Sequence, residues 1–220
     1  MRKRLTHKIV KKSLKELSDP KKAKILKSFF KTGRGEYGEG DKFLGVIVPK
    51  QRKIAYEFRD ISLVEIEKLL QGKFHEERMT AILILVNKFE NGSKRERKNI
   101  FNLYKKNTKN INNWDLVDLS APKIIGDYLQ DKDRKILYRY AVSKSLWERR
   151  IGIISTLTFI RNGDFEDTLK ISEILLGDKH DLIQKAIGWM LREVGKRSKN
   201  NLLESFLIKN QNAISRTTLR

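Results

Sequence analysis

Apolar residues recur at helical spacing along nearly the whole chain, with charged residues on the intervening positions. The pattern predicts helices over 6–17 and 20–31, separated by Ser18, Asp19 and Pro20, a stop followed by a proline suited to a first helical turn. From Pro49 onward helices are expected at about 49–59, 62–71, 74–90, 93–107, 113–129, 132–143, 145–161, 164–176, 181–197 and 200–210. Start signals at Ser62, Ser93, Asp131, Asp164 and Asn200 recur roughly every 30 to 40 residues, and each opens a pair of helices. Stacked pairs of that period imply an all-α chain, an α-solenoid of HEAT-like helical repeats curved around a concave face. The strongly apolar runs MTAILILV from Met79 and IGIISTLTFI from Ile151 are too short to span a bilayer and read as core.

One stretch interrupts the periodicity. KTGRGEYGEGDKFLGVIVP, from Lys31 to Pro49, is dense in glycine, and Gly33, Gly35 and Gly38 match GxGxxG. A dinucleotide fingerprint follows a strand and opens a helix, whereas this match follows a helix, so no nucleotide cofactor is expected. Val46 to Val48 is too short a run to argue for a sheet. The expected organisation is one domain over 1–220, with N-terminal helices and a glycine-rich loop in 1–48 joined to helical repeats in 49–220.

Charge changes the picture more than composition does. Against 27 acidic residues stand 48 Lys and Arg, a formal charge of +21, which favours a polyanionic partner. The concave face of the solenoid is therefore expected to be basic. Cysteine is absent, which excludes disulfides, thiolate metal sites and a Cys nucleophile. His7, His75 and His180 show no ligand spacing, so neither a metal nor a cofactor is expected. The basic start lacks the apolar core of a signal peptide and no run is long enough for a membrane span, so a cytoplasmic monomer is expected.

Candidate chemistry centres on NNWDLVDLSAPKIIGD, Asn112 to Asp127. Trp114 and Asp118 are four residues apart and share a helix face. With Asn112 as N-cap, Asp115 reads as a helix-end carboxylate serving a capping box. Asp118 lies further in, flanked by Val117 and Ala121, where an ionised carboxylate needs a partner. Two readings stay open for it: an ion pair with an Arg of a neighbouring helix, or a functional carboxylate. In DLIQKAIGWMLREVGKR, Ile183, Ile187, Met190, Leu191 and Val194 fall on one face, and Lys185, Trp189, Arg192 and Lys196 on the other. An indole in a cationic stripe suits a contact between repeats, or a nucleic acid whose phosphates meet the cations and whose base or sugar meets the ring. Trp147, beside Ile151 and Ile154, reads as core. Arg149 and Arg150 follow it, and the Arg150 guanidinium can reach either a phosphate or Asp118.

Taken together, FFKTGRGEYGEGDKFLGVIVP, NNWDLVD, LWERR and IQKAIGWMLREVGK, in this order and spacing, resemble the AlkD-like DNA alkylation repair proteins, a HEAT-like-repeat family of DNA glycosylases. The resemblance runs from about Lys24 to Arg220. It implies that Asp118 is the catalytic carboxylate, that Trp114 and Trp189 are aromatic walls beside the lesion, and that Arg150 contacts the DNA backbone. Arg149, Lys185, Arg192 and Lys196 are the further candidate DNA contacts. The implied activity is monofunctional hydrolysis of the N-glycosidic bond of N3- and N7-alkylated purines in double-stranded DNA. Relatives continue past SRTTLR, so the last repeat is expected to be incompletely capped. An alkyl group at N3 or N7 makes the purine cationic, so the leaving group needs no general acid. One carboxylate can then stabilise the oxocarbenium-like sugar and orient water, without a deep pocket for a flipped base. The alternatives are a non-catalytic binder of damaged or branched DNA, a role the resemblance also covers, and a protein-binding scaffold, which the charge disfavours.

Overall fold

The computed structural model describes residues 5–199 and 201–219, and all regular structure among them is helical. The helices are α1 (His7–Glu16), α2 (Pro20–Phe29), α3 (Val48–Glu57), α4 (Leu63–Leu70), α5 (His75–Asn91) and α6 (Lys94–Lys106), then a 3-10 turn at Thr108–Asn110. They continue with α7 (Trp114–Ser120), a π-helical turn at Ala121–Gly126, α8 (Lys135–Ala141), α9 (Leu146–Ser155) and α10 (Leu157–Arg161). The chain closes with α11 (Glu166–Leu175), α12 (Asp181–Arg197), α13 (Leu202–Lys209) and α14 (Arg216–Leu219). Successive helices pack on one another, α4 on α5, α5 on α6, α8 on α9 and α11 on α12. That is the paired pattern of a HEAT-like α-solenoid, as the periodicity predicts. The chain divides into two compact units, residues 1–116 and 117–220.

In the first unit α5 is buried on every side from His75 to Val86, with the apolar run from Ala81 to Val86 at its centre. Ile82, Ile84 and Leu85 are wholly buried, packed with Ile66, Leu69 and Leu70 of α4 and Val10 and Leu14 of α1. Ser62 and Ser93 cap α4 and α6 as expected, Ser93 in a reciprocal capping box with Glu96. The glycine-rich segment is tied to α5 by Glu76, a fully buried carboxylate that accepts the N–H groups of Leu44, Gly45 and Val46 at 2.9, 2.8 and 3.2 Å. Gly45 is required there. Its φ is +86° and an added Cβ would lie 2.1 Å from the Asp19 carbonyl oxygen.

In the second unit α12 packs on α9, α11, α13 and α14, with Ile183, Ile187, Met190 and Val194 wholly buried. Two helices predicted as regular depart from the α form, each for a local reason. The 113–129 helix changes register after Ser120 because Pro122 has no N–H to give the Asp118 carbonyl and its ring would crowd that carbonyl. Thr158 Oγ1 donates instead to the Pro122 carbonyl at 2.7 Å. The 145–161 helix breaks at Thr156, where the hydroxyls of Ser155 and Thr156 donate to the carbonyls of Ile151 and Ile153 at 2.6 and 2.7 Å, competing with the backbone ladder. The start expected at Asp131 comes at Lys135, because Asp133 accepts the Lys135 N–H. Phe165, not Asp164, precedes α11, and Asp164 pairs with Arg134. Asn200 lies outside the described residues. Trp147, expected in the core, is half-buried while Ile151 and Ile154 behind it are wholly buried.

Candidate functional site

Helix α7 carries the chemistry the sequence singles out. Its first N–H, that of Trp114, donates at 2.8 Å to the side-chain oxygen of the buried Asn113 directly before it, where a cap at Asn112 is expected. Asp118 is half-buried and its two oxygens accept from Arg150 Nε and Nη2 at 2.8 and 2.7 Å. This is the bidentate fork of a guanidinium on a carboxylate, among the strongest charged hydrogen bonds available. Arg150 is only 5% exposed, and its Nη1 donates to the Leu182 carbonyl in the first turn of α12. Of the two partners open to Arg150 from the sequence, the folded chain has it on Asp118. The paired contact fixes the orientation of the Asp118 carboxylate.

The stripe on α12 folds as the pattern predicts. Trp189 is half-buried on the side away from the core, and Lys185, Arg192 and Lys196 are exposed. Lys185 pairs with Asp181 at 2.7 Å and Lys196 with Glu193 at 3.0 Å. Exposed pairs of this kind are worth about 0–1 kcal/mol, so they do not hold the ammonium groups back from a phosphate. Arg149 is engaged differently. Its Nε donates to Asp178 at 2.6 Å and Nη1 to the carbonyls of Ser143 and Lys144, so it fastens the turn after α8 to the turn before α12.

The sequence reading missed a second charged centre, inside the first unit. His75, 3% exposed at the start of α5, places Nδ1 3.1 Å from Asp41 of the glycine-rich loop and Nε2 2.8 Å from Asp115 of α7. Arg78, one turn along α5, donates to Asp41 at 2.6 Å. Burial disfavours a charged imidazole, but the two carboxylates, Asp115 foremost, outweigh it and push the His75 pKa up to about 9. Burial likewise opposes ionisation of Asp41, but His75 and Arg78 hold its carboxyl below the usual range. Asp115 is therefore not only a helix-end residue. Its Oδ1 accepts the Leu116 N–H at 2.8 Å while its Oδ2 meets His75.

Around this centre the aromatic residues stack. Phe30 lies 4.9 Å from the His75 ring, 5.2 Å from Phe43 and 5.5 Å from Trp114, centroid to centroid. The half-buried Trp114 indole donates its N–H to the Tyr37 hydroxyl at 3.3 Å and meets Phe29 edge-on at 6.0 Å. Among the described residues no group of His, Asp and Glu could hold a metal ion, and no helix is long and apolar enough to cross a membrane.

A family profile described as DNA alkylation repair enzyme matches residues 10–220. No curated protein matches the chain. Among solved structures, the chain is similar to a predicted DNA alkylation repair enzyme from Enterococcus faecalis, with 19% identity and a TM-score of 0.70 over 92% of this chain and 93% of that one. At that identity the likeness is one of fold.

Proposed function

The chain belongs to the DNA alkylation repair enzyme family, and from that premise we propose that it is a monofunctional DNA glycosylase acting on cationic N3- and N7-alkylated purines in duplex DNA. The observation that carries this reading is Asp118, a half-buried carboxylate oriented by the two-pronged contact with Arg150 at 2.7 and 2.8 Å. An alkylated purine leaves as a neutral base, so the reaction needs stabilisation of a sugar cation and a placed water, and no proton donor. A fixed carboxylate supplies the first through its charge and the second by accepting a hydrogen bond from the attacking water. Trp114, one turn earlier on α7, and Trp189, on the polar side of α12, offer π faces to a cationic base or sugar. Lys185, Arg192 and Lys196 beside Trp189 meet phosphates, a sequence-independent contact. Arg149 and Arg150 act through what they hold, the turn before α12 and the Asp118 carboxylate, with Arg150 reaching the DNA backbone only if its carbonyl contact to Leu182 is exchanged.

The deciding experiment is incubation with duplex DNA containing N7-methylguanine and measurement of released base, with and without EDTA. Release unaffected by the chelator supports the reading. Tight binding without release moves the protein to the non-catalytic class.

A further inference from the structure

The buried centre at His75 has no part in the chemistry assigned to Asp118, yet its cost in buried charge demands an account. Two carboxylates, Asp41 and Asp115, face one imidazole, and carboxylates only accept hydrogen bonds. With both carboxylates ionised, both contacts are satisfied only if both ring nitrogens carry hydrogen, so the geometry points to imidazolium. With Arg78 on the far side of Asp41, the four groups then sum to zero charge, which is what a buried cluster needs. The cluster joins three elements distant in sequence: the glycine-rich loop through Asp41, α5 through His75 and Arg78, and the first turn of α7 through Asp115.

Asp115 directly follows Trp114, and its other oxygen is bonded to the Leu116 N–H, so fixing the carboxylate fixes the backbone from which the indole projects. The same loop that carries Asp41 carries Tyr37, whose hydroxyl receives the indole N–H. Further support comes from Phe30, whose ring lies 29° from the indole plane and 4.9 Å from the His75 ring, and from Phe29, which meets the indole edge-on.

We propose that His75 is a positioning residue for Trp114: by bridging Asp41 and Asp115 it locks the glycine-rich loop to the first turn of α7 and so sets the plane in which the indole meets substrate. This rests on the glycosylase reading for what the indole then does, but the coupling itself needs no substrate to be observed. Loss of the second imidazole proton leaves one carboxylate facing a lone pair, the bridge opens on one side, and the indole loses its fixed orientation.

The test uses the full chain labelled with 5-fluorotryptophan, its three fluorine signals assigned by Trp→Phe substitutions and followed across pH together with the imidazole nitrogen signals of His75. The expected result is that His75 carries two protons at neutral pH and titrates near 9, and that the Trp114 signal shifts with the same midpoint while those of Trp147 and Trp189 do not. Charged or titratable groups facing His75 are Asp41 and Asp115, with Arg78 behind Asp41 and Lys42 next along the loop. Tyr37→Phe, which removes the other titratable group touching the indole, leaves the Trp114 response in place. His75→Gln abolishes it and lowers kcat for N7-methylguanine release about tenfold or more at unchanged DNA affinity, as expected of a misplaced contact group. A His75 that is singly protonated at neutral pH, or a Trp114 signal that ignores His75 titration, overturns the proposal. If the wild-type protein releases no base, the glycosylase reading fails while the fluorine titration still decides the coupling. If His75→Gln does not fold, the wild-type titration decides alone.

Discussion

Asp115 and Asp118 stand three residues apart on α7 and live in opposite chemical worlds. Asp115 answers an imidazole that is 3% exposed, in a cluster where every charge is balanced by neighbours. Asp118 answers a guanidinium, and its own side chain remains 20% exposed. The first carboxylate is spent on holding structure and its cation can titrate. The second is presented toward solvent by a cation that does not release its proton in the physiological range. The lesson is that two carboxylates of one short helix are told apart by their partners, since their own side chains are similarly exposed, 15% for Asp115 and 20% for Asp118.

The comparison breaks most sharply at Asp118. Asp118→Asn is expected to cut release of N7-methylguanine on the order of a hundredfold to a thousandfold, the size seen when a charge-stabilising group is removed. It also leaves the buried Arg150 unbalanced, so the melting temperature falls. Equal activity in the variant, measured by single-turnover release, would put the chemistry elsewhere. Asp115→Asn should do the reverse. It removes one balancing charge from a buried cluster and costs on the order of 3 kcal/mol in a urea titration, with a smaller loss of release than Asp118→Asn. A near-neutral result would return Asp115 to the minor helix-end role its sequence position suggests.

Proton concentration sharpens the same contrast. His75 is raised from 6.5 to about 9, so its stabilising contribution is complete below the unfolded value, near 6.5, and is lost as pH rises through about 9. Wild-type stability should therefore fall by up to about 3 kcal/mol between pH 6.5 and 10 from this group, and Asp115→Asn should flatten that fall. Trp189→Phe should cost less release than Trp189→Ala, because a weaker π face remains; the aromatic contribution at stake is about 0.5–2 kcal/mol. Smallest of all, Lys185→Ala and Lys196→Ala should weaken binding to every sequence alike, each lowering the slope of log affinity against log salt by about one. A loss confined to particular sequences would contradict a phosphate role.

Much of this architecture is legible from periodicity alone. Helix α12 spans 181–197 as the apolar stripe predicts, and Trp189 sits away from that stripe. The caps at Ser62 and Ser93 fall where a hydroxyl precedes a helical run by the right spacing. Local patterns report local forces. The His75 centre was illegible because its partners lie 34 and 40 residues away, and nothing in a lone histidine announces two buried carboxylates. One missed signal was local after all: a proline four residues after Asp118 removes the hydrogen bond that would continue α7, and that alone foretells the change of register.

The Glu76 carboxylate, with three loop amides bound to it, has a consequence for exchange with solvent deuterium. Residues 44–46 belong to no helix and no ladder, and by local criteria their amides should exchange within seconds of mixing. Yet each of the three points at a wholly buried anion rather than at another carbonyl, so it opens only when α5 itself comes away from the unit. Their protection factors should match those of α5, and a stretch that looks like connecting chain would behave as part of the slowest-opening foldon.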